Sequence, residues 1–402
     1  MASKRRFSTA RPILMVGALL SIGCSFDWPA TEDGAGDGGR SADDAAVGMM
    51  DASRDVAAPI DAPVFDAPAF DAPVDSAPTC TANLTKDPLD CGSCGHSCLG
   101  GMCEAGKCQP VTMAAQQSSP TYIVSDGATL YWSNSVAGGA VMKCLFAGCA
   151  GTPTTFASGL GFPDHLVLDP ANLYWTTNTG GGSMRHCPLS GCVGTEMPVS
   201  GQHNPQGIAI DGSTVYWAES GAGNVRSCAI TGCVGNGTSL ASGQASPVAV
   251  AVSGAMLFWA NAGTSATDGA IMTCQITSCA SSSTTPLASS QHAPENLATD
   301  GTNVYWTNRG SGADGSVMAC AVGGCGGGPT MIASGLANAI AVEVDATSAY
   351  FTEAGGQGQS NGAIRRVALA GGGGAPDTLA SSLASPWGMV LTSTRVFWVN
   401  HC

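Results

Sequence analysis

Carboxylate, amide, histidine and aromatic side chains recur at two places in a repeated unit of this chain, and their types are suited to binding or catalysis. The candidates for a binding rim are Tyr122, Asp164, His165, Gln206, Glu219, Glu295, Arg309, Glu353 and Trp387. Such a rim needs no metal or other cofactor. Carboxylate oxygens also suit calcium, so Glu219, Glu295 and Glu353 form the alternative metal set.

These candidates are positioned by a repeat. An aromatic pair begins at Tyr131, Tyr174, Tyr216, Phe258, Tyr305, Tyr350 and Phe397, at intervals of 43, 42, 42, 47, 45 and 47 residues. Each unit has a short apolar run, a turn, the aromatic run, a glycine-rich loop and two further short runs, which predicts four antiparallel strands. A period of this size with this content predicts an all-β fold, a β-propeller with one unit per blade.

Seven motifs predict seven four-stranded blades, with six as the alternative because only six units are complete. Residues 110–120 align with residues 153–163, the fourth strand of a unit. We therefore expect the ring to close by joining an N-terminal outer strand to two C-terminal inner strands, which protects sheet edges. The hairpin containing Cys103 and Cys108 is a candidate third strand of that blade. First strands line the channel of a propeller, so the rim candidates are expected around one opening.

The motif, period and glycine turns of residues 110–402 resemble YWTD-type propellers of the lipoprotein-receptor kind and, more loosely, NHL-type propellers. YWTD propellers have six blades and an aspartate after the threonine. That place holds Asn134, Asn261, Asn308, Asn400, Glu219, Glu353 or Thr177 in this chain. Binding residues of the family are therefore not transferred. Gluconolactonase-like propellers hold a divalent cation with Glu, Asn and Asp at the channel mouth, which implies a metal-dependent hydrolase as an alternative function.

The spacing Cys-x4-Cys recurs in five units and predicts one disulfide in each. The predicted pairs are Cys144–Cys149, Cys187–Cys192, Cys228–Cys233, Cys274–Cys279 and Cys320–Cys325. The sixth unit has Val367 and Gly372 at both places, and the joint loss of two cysteines is what a mutual bond predicts. A short closed loop is worth about 2 kcal/mol per bond in the chain-entropy model.

The N-terminal region predicts export. A basic segment and an apolar run too short to span a bilayer precede "LLSIGC", which resembles the lipobox of bacterial lipoproteins. The resemblance implies that Cys24 is lipidated and anchors the protein to a membrane, as an outer-membrane lipoprotein of the cell envelope outside the cytoplasm. An ordinary signal peptide is the alternative. The predicted leader is residues 1–24.

Two further segments separate the leader from the propeller. Residues 25–79 contain twelve acidic and two basic residues with repeated Asp-Ala-Pro units, which predicts a disordered tether. Residues 80–109 contain six cysteines and resemble small Stig1-like modules of secreted proteins. Export favours disulfides there. A zinc site with Cys91, Cys94, Cys98 and His96 is the alternative.

The sequence restricts the possible functions of the protein less than it restricts the fold. The formal net charge of −14 argues against a nucleic-acid partner, which needs clustered lysine and arginine. The chain has no HExxH or P-loop motif. We expect a membrane-anchored module that binds a protein, peptide or glycan. An enzyme and a purely structural surface protein are the alternatives.

Overall fold

The structure is a computed structural model. It describes the backbone of residues 18–22 and also residues 83–89, 102–149, 152–192, 199–233, 235–279, 284–356, 359–370, 374–393 and 395–401. Cys24, the tether and most of the cysteine-rich module, including its four proposed zinc ligands, lie outside these residues. The described residues contain strands and turns, and none of them forms a helix long and apolar enough to cross a membrane.

Four strands precede the first complete blade. They are β1 (Ala18–Ile22), β2 (Cys103–Glu104), β3 (Lys107–Cys108) and β4 (Val111–Ala114). Strands β2 and β3 form a separate two-stranded hairpin in which Cys103 pairs with Cys108. This hairpin does not join a blade, so the idea that it serves as a third strand is wrong.

Six blades follow, each a sheet of four strands that are consecutive in the chain. The first two are β5 (Pro120–Ser125), β6 (Thr129–Asn134), β7 (Ala137–Leu145), β8 (Thr154–Gly161), and β9 (Pro163–Leu168), β10 (Asn172–Thr177), β11 (Gly182–Pro188), β12 (Val199–Gln202). The next two are β13 (Pro205–Ile210), β14 (Thr214–Glu219), β15 (Asn224–Ala229), β16 (Thr238–Ala241), and β17 (Pro247–Ser253), β18 (Met256–Asn261), β19 (Gly269–Gln275), β20 (Thr285–Gln291). The last two are β21 (Pro294–Thr299), β22 (Asn303–Asn308), β23 (Gly315–Ala321), β24 (Thr330–Leu336), and β25 (Ala339–Val344), β26 (Ser348–Glu353), β27 (Gly362–Ala368), β28 (Asp377–Leu383).

Both ends of the chain contribute to one further sheet, called here the composite sheet. It contains β29 (Pro386–Leu391) and β30 (Arg395–Asn400), and its order is β29-β30-β1-β4. Strand β29 contacts β25 on one side and β5 on the other, so the first strands form a closed ring. The fold is the predicted β-propeller. It has six complete four-stranded blades, so the alternative of six blades is confirmed and the prediction of seven is wrong. The seventh aromatic motif lies in the composite sheet.

The aromatic motif builds the core between blades. Its tryptophans are fully buried in the second strands: Trp132, Trp175, Trp217, Trp259, Trp306 and Trp398. Four of them donate their indole N–H to a glutamine that lies fifteen residues earlier, over distances of 2.8–3.0 Å: Gln117, Gln202, Gln244 and Gln291. Leucine takes the glutamine's place before Trp175 and Trp398, whose N–H groups lack an acceptor among the described residues.

The aspartate in the turn after most first strands has a structural role. Asp211 Oδ1 accepts from the backbone N–H groups of Ser213 and Thr214, and its Oδ2 accepts from the Tyr216 hydroxyl at 2.7 Å. Asp126, Asp169 and Asp300 bind Tyr131, Tyr174 and Tyr305 in the same way. Where the tyrosine is Phe258 or Phe397, the aspartate is replaced by Ser253 or Thr392.

This pair should make stability depend on pH. Burial opposes ionisation of Asp211, but hydrogen bonds from Tyr216 and the turn backbone outweigh it and lower its pKa. Burial and Asp211 raise the pKa of Tyr216 to about 12. The aspartate's contribution is present above its unfolded-state pKa of about 4 and is lost as the pH falls through its lowered folded-state pKa. The tyrosine's contribution is lost as the pH rises from about 10 towards about 12.

We therefore expect Tyr216→Phe to lower the free energy of unfolding by about 1 kcal/mol near neutral pH, since one charge-assisted hydrogen bond is lost. In urea titrations the difference from the native protein should be largest between about pH 5 and 9. The double substitution Ser253→Asp with Phe258→Tyr introduces the pair into the fourth blade and should stabilise more than either single change. A difference that does not vary with pH would contradict this role for the pair.

The five blade cysteine pairs form disulfides, Cys144–Cys149, Cys187–Cys192, Cys228–Cys233, Cys274–Cys279 and Cys320–Cys325, with Cα atoms 4.9–5.4 Å apart. Cys103 and Cys108 are also disulfide-bonded. Each blade disulfide spans the turn that follows a third strand. Several disulfides in one chain are typical of proteins that are secreted or extracellular.

Candidate functional site

The first strands carry the candidate site at the end where each strand begins. Asp164, Gln206, Glu295 and Trp387 are each the second residue of a first strand, and Tyr122 and His165 are each the third. Second strands return to this end, because the first residue of a first strand pairs with the last residue of a second strand. We call this end of the ring the channel mouth.

Tyr122 crosses the channel. It begins in the first blade, and its hydroxyl oxygen accepts a hydrogen bond from Asn296 Nδ2 of the fifth blade at 3.2 Å. Asn296 Oδ1 in turn accepts from the backbone N–H of Val342. Burial, with the charges of Asp164 and Glu295, raises the pKa of Tyr122 well above its usual value. The phenol is therefore a neutral group placed across the channel, where it can donate or accept.

His165 packs against Tyr122, with ring centroids 3.5 Å apart. Its Nδ1 lies 3.6 Å from Asp164 Oδ2, and its side chain is only 13% exposed. Neither ring nitrogen makes a hydrogen bond within the described part of the chain. Buried polar atoms are nearly always paired, so a buried imidazole with two unpaired nitrogens indicates a missing water or ligand.

Asp164 is held by a short chain of amides. Asn178 Nδ2 donates to Asp164 Oδ2 at 3.2 Å, and Asn204 Nδ2 donates to Asn178 Oδ1 at 3.2 Å. Asn178 follows the second strand of the second blade, and Asn204 precedes the first strand of the third. The carboxylate beside His165 is thus fixed by two neighbouring blades.

Glu295 and Trp387 meet at Arg309. Arg309 Nη1 lies 3.8 Å from Glu295 Oε2, and the guanidinium lies 5.6 Å from the centre of the Trp387 ring. His401 packs on the same ring at 4.6 Å. Burial raises the pKa of Glu295 although Arg309 opposes this, and burial lowers the pKa of His401. The Trp387 backbone is fixed because its carbonyl accepts from Thr352 Oγ1 at 2.9 Å.

A third carboxyl group, that of Glu343, lies further along the channel wall. Glu343 is the fifth residue of its first strand, where the other first strands carry Val124, Val167, Ala209, Ala251, Ala298 and Val390. Burial alone raises the pKa of Glu343 to about 7. Its charge acts on Tyr122, whose pKa it raises.

The other three rim candidates make their contacts with residues outside this group. Glu219 is 1% exposed and paired with Arg226, and it also accepts from Asn224 and the backbone of His203. Glu353 lies 2.6 Å from Arg365. Gln206 lies in the first strand of the third blade, and its carbonyl accepts from Thr176 Oγ1 of the second blade.

The three carboxylates of the alternative calcium set lie in three different blades. Each has its own arginine: Arg226 beside Glu219, Arg309 beside Glu295 and Arg365 beside Glu353. Within the described residues, no group of three or more His, Cys, Asp or Glu side chains is placed to hold a metal ion.

Comparison with protein-family models gives no match, and no curated protein matches the chain. Solved structures do match. Virginiamycin B lyase from Staphylococcus aureus is 13% identical with a TM-score of 0.55, covering 71% of this chain and 92% of that one. A streptogramin B lyase structure is also 13% identical, with a TM-score of 0.50, covering 68% and 87%. A nidogen/laminin complex is 16% identical with a TM-score of 0.48, covering 68% and 99%.

The likenesses to the two lyase structures show the fold. At such identities they assign no ligand, reaction or residue to the channel mouth. Six of the nine rim candidates do come together or lie beside one another there: Tyr122, Asp164, His165, Glu295, Arg309 and Trp387. Asn296, His401 and Glu343 join them in the structure.

Proposed function

We propose that this protein is an exported, membrane-anchored binding module and that its ligand site is the channel mouth. The observation that carries the proposal is His165, a nearly buried imidazole with two unpaired nitrogens beside a fixed carboxylate. A ligand polar group would supply the missing partner. The leader sequence and disulfides support the location, and Cys24 is the proposed anchor.

The chemistry of the mouth favours a neutral, hydroxyl-rich ligand such as a glycan. Tyr122 and Trp387 offer aromatic surface, while Asp164 and Glu295 offer hydrogen-bond acceptors. The single cation, Arg309, is balanced by Glu295. The carboxyl groups of Asp164 and Glu295 outnumber this one arginine, which disfavours an anionic ligand. A sugar matches aromatic side chains together with mixed donors and acceptors.

The test is a glycan array with the exported protein, followed by calorimetry on the sugars that bind. His165→Ala and Glu295→Gln should each weaken binding at least tenfold, the loss of roughly one hydrogen bond worth about 1.4 kcal/mol. The control Glu104→Gln changes an exposed side chain of the separate β2–β3 hairpin and should leave affinity unchanged. Binding that survives both mouth substitutions would place the site elsewhere, and a peptide array would then test the next ligand class.

A second candidate function is acid–base catalysis at the same mouth. Its support is the His165–Asp164 pair next to Tyr122, together with the similarity in fold to virginiamycin B lyase. Histidine beside a carboxylate is a common general base. Incubation with virginiamycin B, followed by mass spectrometry, tests one substrate directly. Conversion that His165→Ala abolishes would favour the enzyme, and an unchanged antibiotic would leave the binding module as the conclusion.

A further inference from the structure

The third strand of the composite sheet differs from its counterparts in the six complete blades. There, each third strand follows the second strand in the chain and runs antiparallel to both neighbours, as β23 does between β22 and β24. In the composite sheet this place is taken by β1, which runs parallel to both β30 and β4. Leu20, for example, pairs with Phe397 on one side and Val111 on the other.

The neighbouring chain does not fill this place. Among the described residues, the hairpin of β2 and β3 pairs with no other strand. The Gln109 N–H donates to the Met102 carbonyl at 2.7 Å, which closes the hairpin just before β4 begins. Strands β30 and β4 therefore require a strand from elsewhere between them.

The segment in this place is one that export would remove. Strand β1 lies within the predicted leader, two residues before Cys24, where processing of a lipoprotein or a signal peptide would cut. Removal leaves β30 and β4 each with an unpaired row of backbone N–H and C=O groups facing a gap one strand wide. Unpaired backbone groups of this kind cost about 1–3 kcal/mol each when they are shielded from water.

We propose that this gap is a strand-binding site of the processed protein, and that it takes an extended, apolar, proline-free segment of a partner protein running parallel to β30. The inference rests on removal of the leader and is independent of any ligand at the channel mouth. Main-chain pairing would supply affinity, as in other cases where a peptide adds a strand to a sheet. The sequence that fills the place in the full chain, ALLSI, gives the type of segment expected.

The length of the site follows from its edges. Five residues of β1 pair with β30, so the partner must contribute an extended segment about 16 Å long at roughly 3.3 Å per residue. The Asp-Ala-Pro units of the tether are poorly suited, because proline cannot donate to a ladder on either side of a central strand.

A fluorescent peptide of residues 17–23, GALLSIG, is the probe. We expect saturable binding to the exported, processed protein and at least tenfold weaker binding to the full chain with its leader retained, where β1 occupies the site. The same peptide with Leu20→Pro should bind at least tenfold less, because a central backbone N–H is lost. Without peptide, the processed protein should unfold at a lower temperature than the full chain, and bound peptide should raise that temperature.

Three results would overturn the proposal. Mass spectrometry could show that the exported protein keeps residues 18–22, which would make β1 a permanent strand. The processed protein could fail to bind the peptide, which would mean that it fills the place with its own chain. The peptide could bind both forms equally or tolerate proline, which would mean adsorption elsewhere. None of these results bears on glycan binding, so the two proposals fail separately.

Discussion

Replacing Gln291 with leucine is expected to lower the free energy of unfolding by about 2–4 kcal/mol, because two buried donors lose one shared acceptor. Gln291 Oε1 accepts from Trp306 Nε1 at 2.8 Å and from Asn308 Nδ2 at 3.0 Å. Gln291 is 6% exposed, so water cannot easily replace it. Leucine occupies the equivalent place in other units, so its shape fits there. The substitution therefore removes the acceptor without introducing a side chain that the fold cannot accommodate.

The reverse substitution, leucine to glutamine, tests the same role by adding an acceptor where one is absent. Leu160 stands fifteen residues before Trp175, whose N–H has no acceptor among the described residues. Leu160→Gln should supply one and be much less harmful than a polar substitution in a core normally is. Gln275→Leu, on an exposed strand end, is the matched control. If chemical denaturation shows equal effects for Gln291→Leu and Gln275→Leu, the glutamine is not a structural acceptor.

The second large effect is expected at Glu343, where Glu343→Gln should stabilise the protein at alkaline pH. Burial raises the pKa of Glu343 to about 7, against about 4.3 in an unfolded chain. As the pH rises between these values the unfolded state loses its proton first, so the native protein loses stability. The full difference is about 4 kcal/mol, and water in the channel will reduce it to about 1–2 kcal/mol.

The expected pattern is specific. The variant and the native protein should be equally stable near pH 4, and the variant should gain steadily up to about pH 7 and keep its advantage above that. Groups facing this carboxyl include Tyr122, which stays protonated over the whole range because its pKa is raised. Glu104→Gln in the exposed hairpin is the control. If the difference in melting temperature between Glu343→Gln and the native protein is the same at every pH, this carboxyl is hydrated and the prediction is wrong.

The repeat made the fold predictable because propeller structure is local. Each blade is built from a run of about 43 residues, and adjacent strands are joined by short turns, so the period, the turns and the aromatic pair together specify a four-stranded sheet. The same applies to closure, since residues 110–120 match the outer strand of a unit, and β4 does take an outer position in the composite sheet. The strand between β30 and β4 was not predictable, because no sequence pattern couples β1 to partners so far along the chain.

The candidate site was predictable in part for the same reason. Departure from the repeat singled out Tyr122, His165 and Trp387, which lie on first strands. Glu219 and Glu353 were indistinguishable from them until cross-strand register placed Arg226 and Arg365 beside them. Glu343 could have been found, since it is the one charged residue at a place otherwise held by valine or alanine.

Two pairs of interacting residues can also be recognised in the sequence, because the two members of each pair change together from repeat to repeat. Tyrosine in the aromatic motif always accompanies aspartate five residues earlier, and phenylalanine accompanies serine or threonine. Likewise, glutamine or leucine stands fifteen residues before the second aromatic residue of each motif. Such covariation among the repeats of one chain carries the information that an alignment of separate proteins would otherwise supply, because each unit is an independent solution to the same packing problem.

Joining an early strand to a late one has a consequence for biosynthesis. Strand β4 is made near the start of the propeller, and its sheet cannot be completed until β29 and β30 have also been synthesised. Until then, the apolar face of the first blade that packs against the composite sheet has no cover. Chains that stop early should therefore be prone to aggregation and proteolysis.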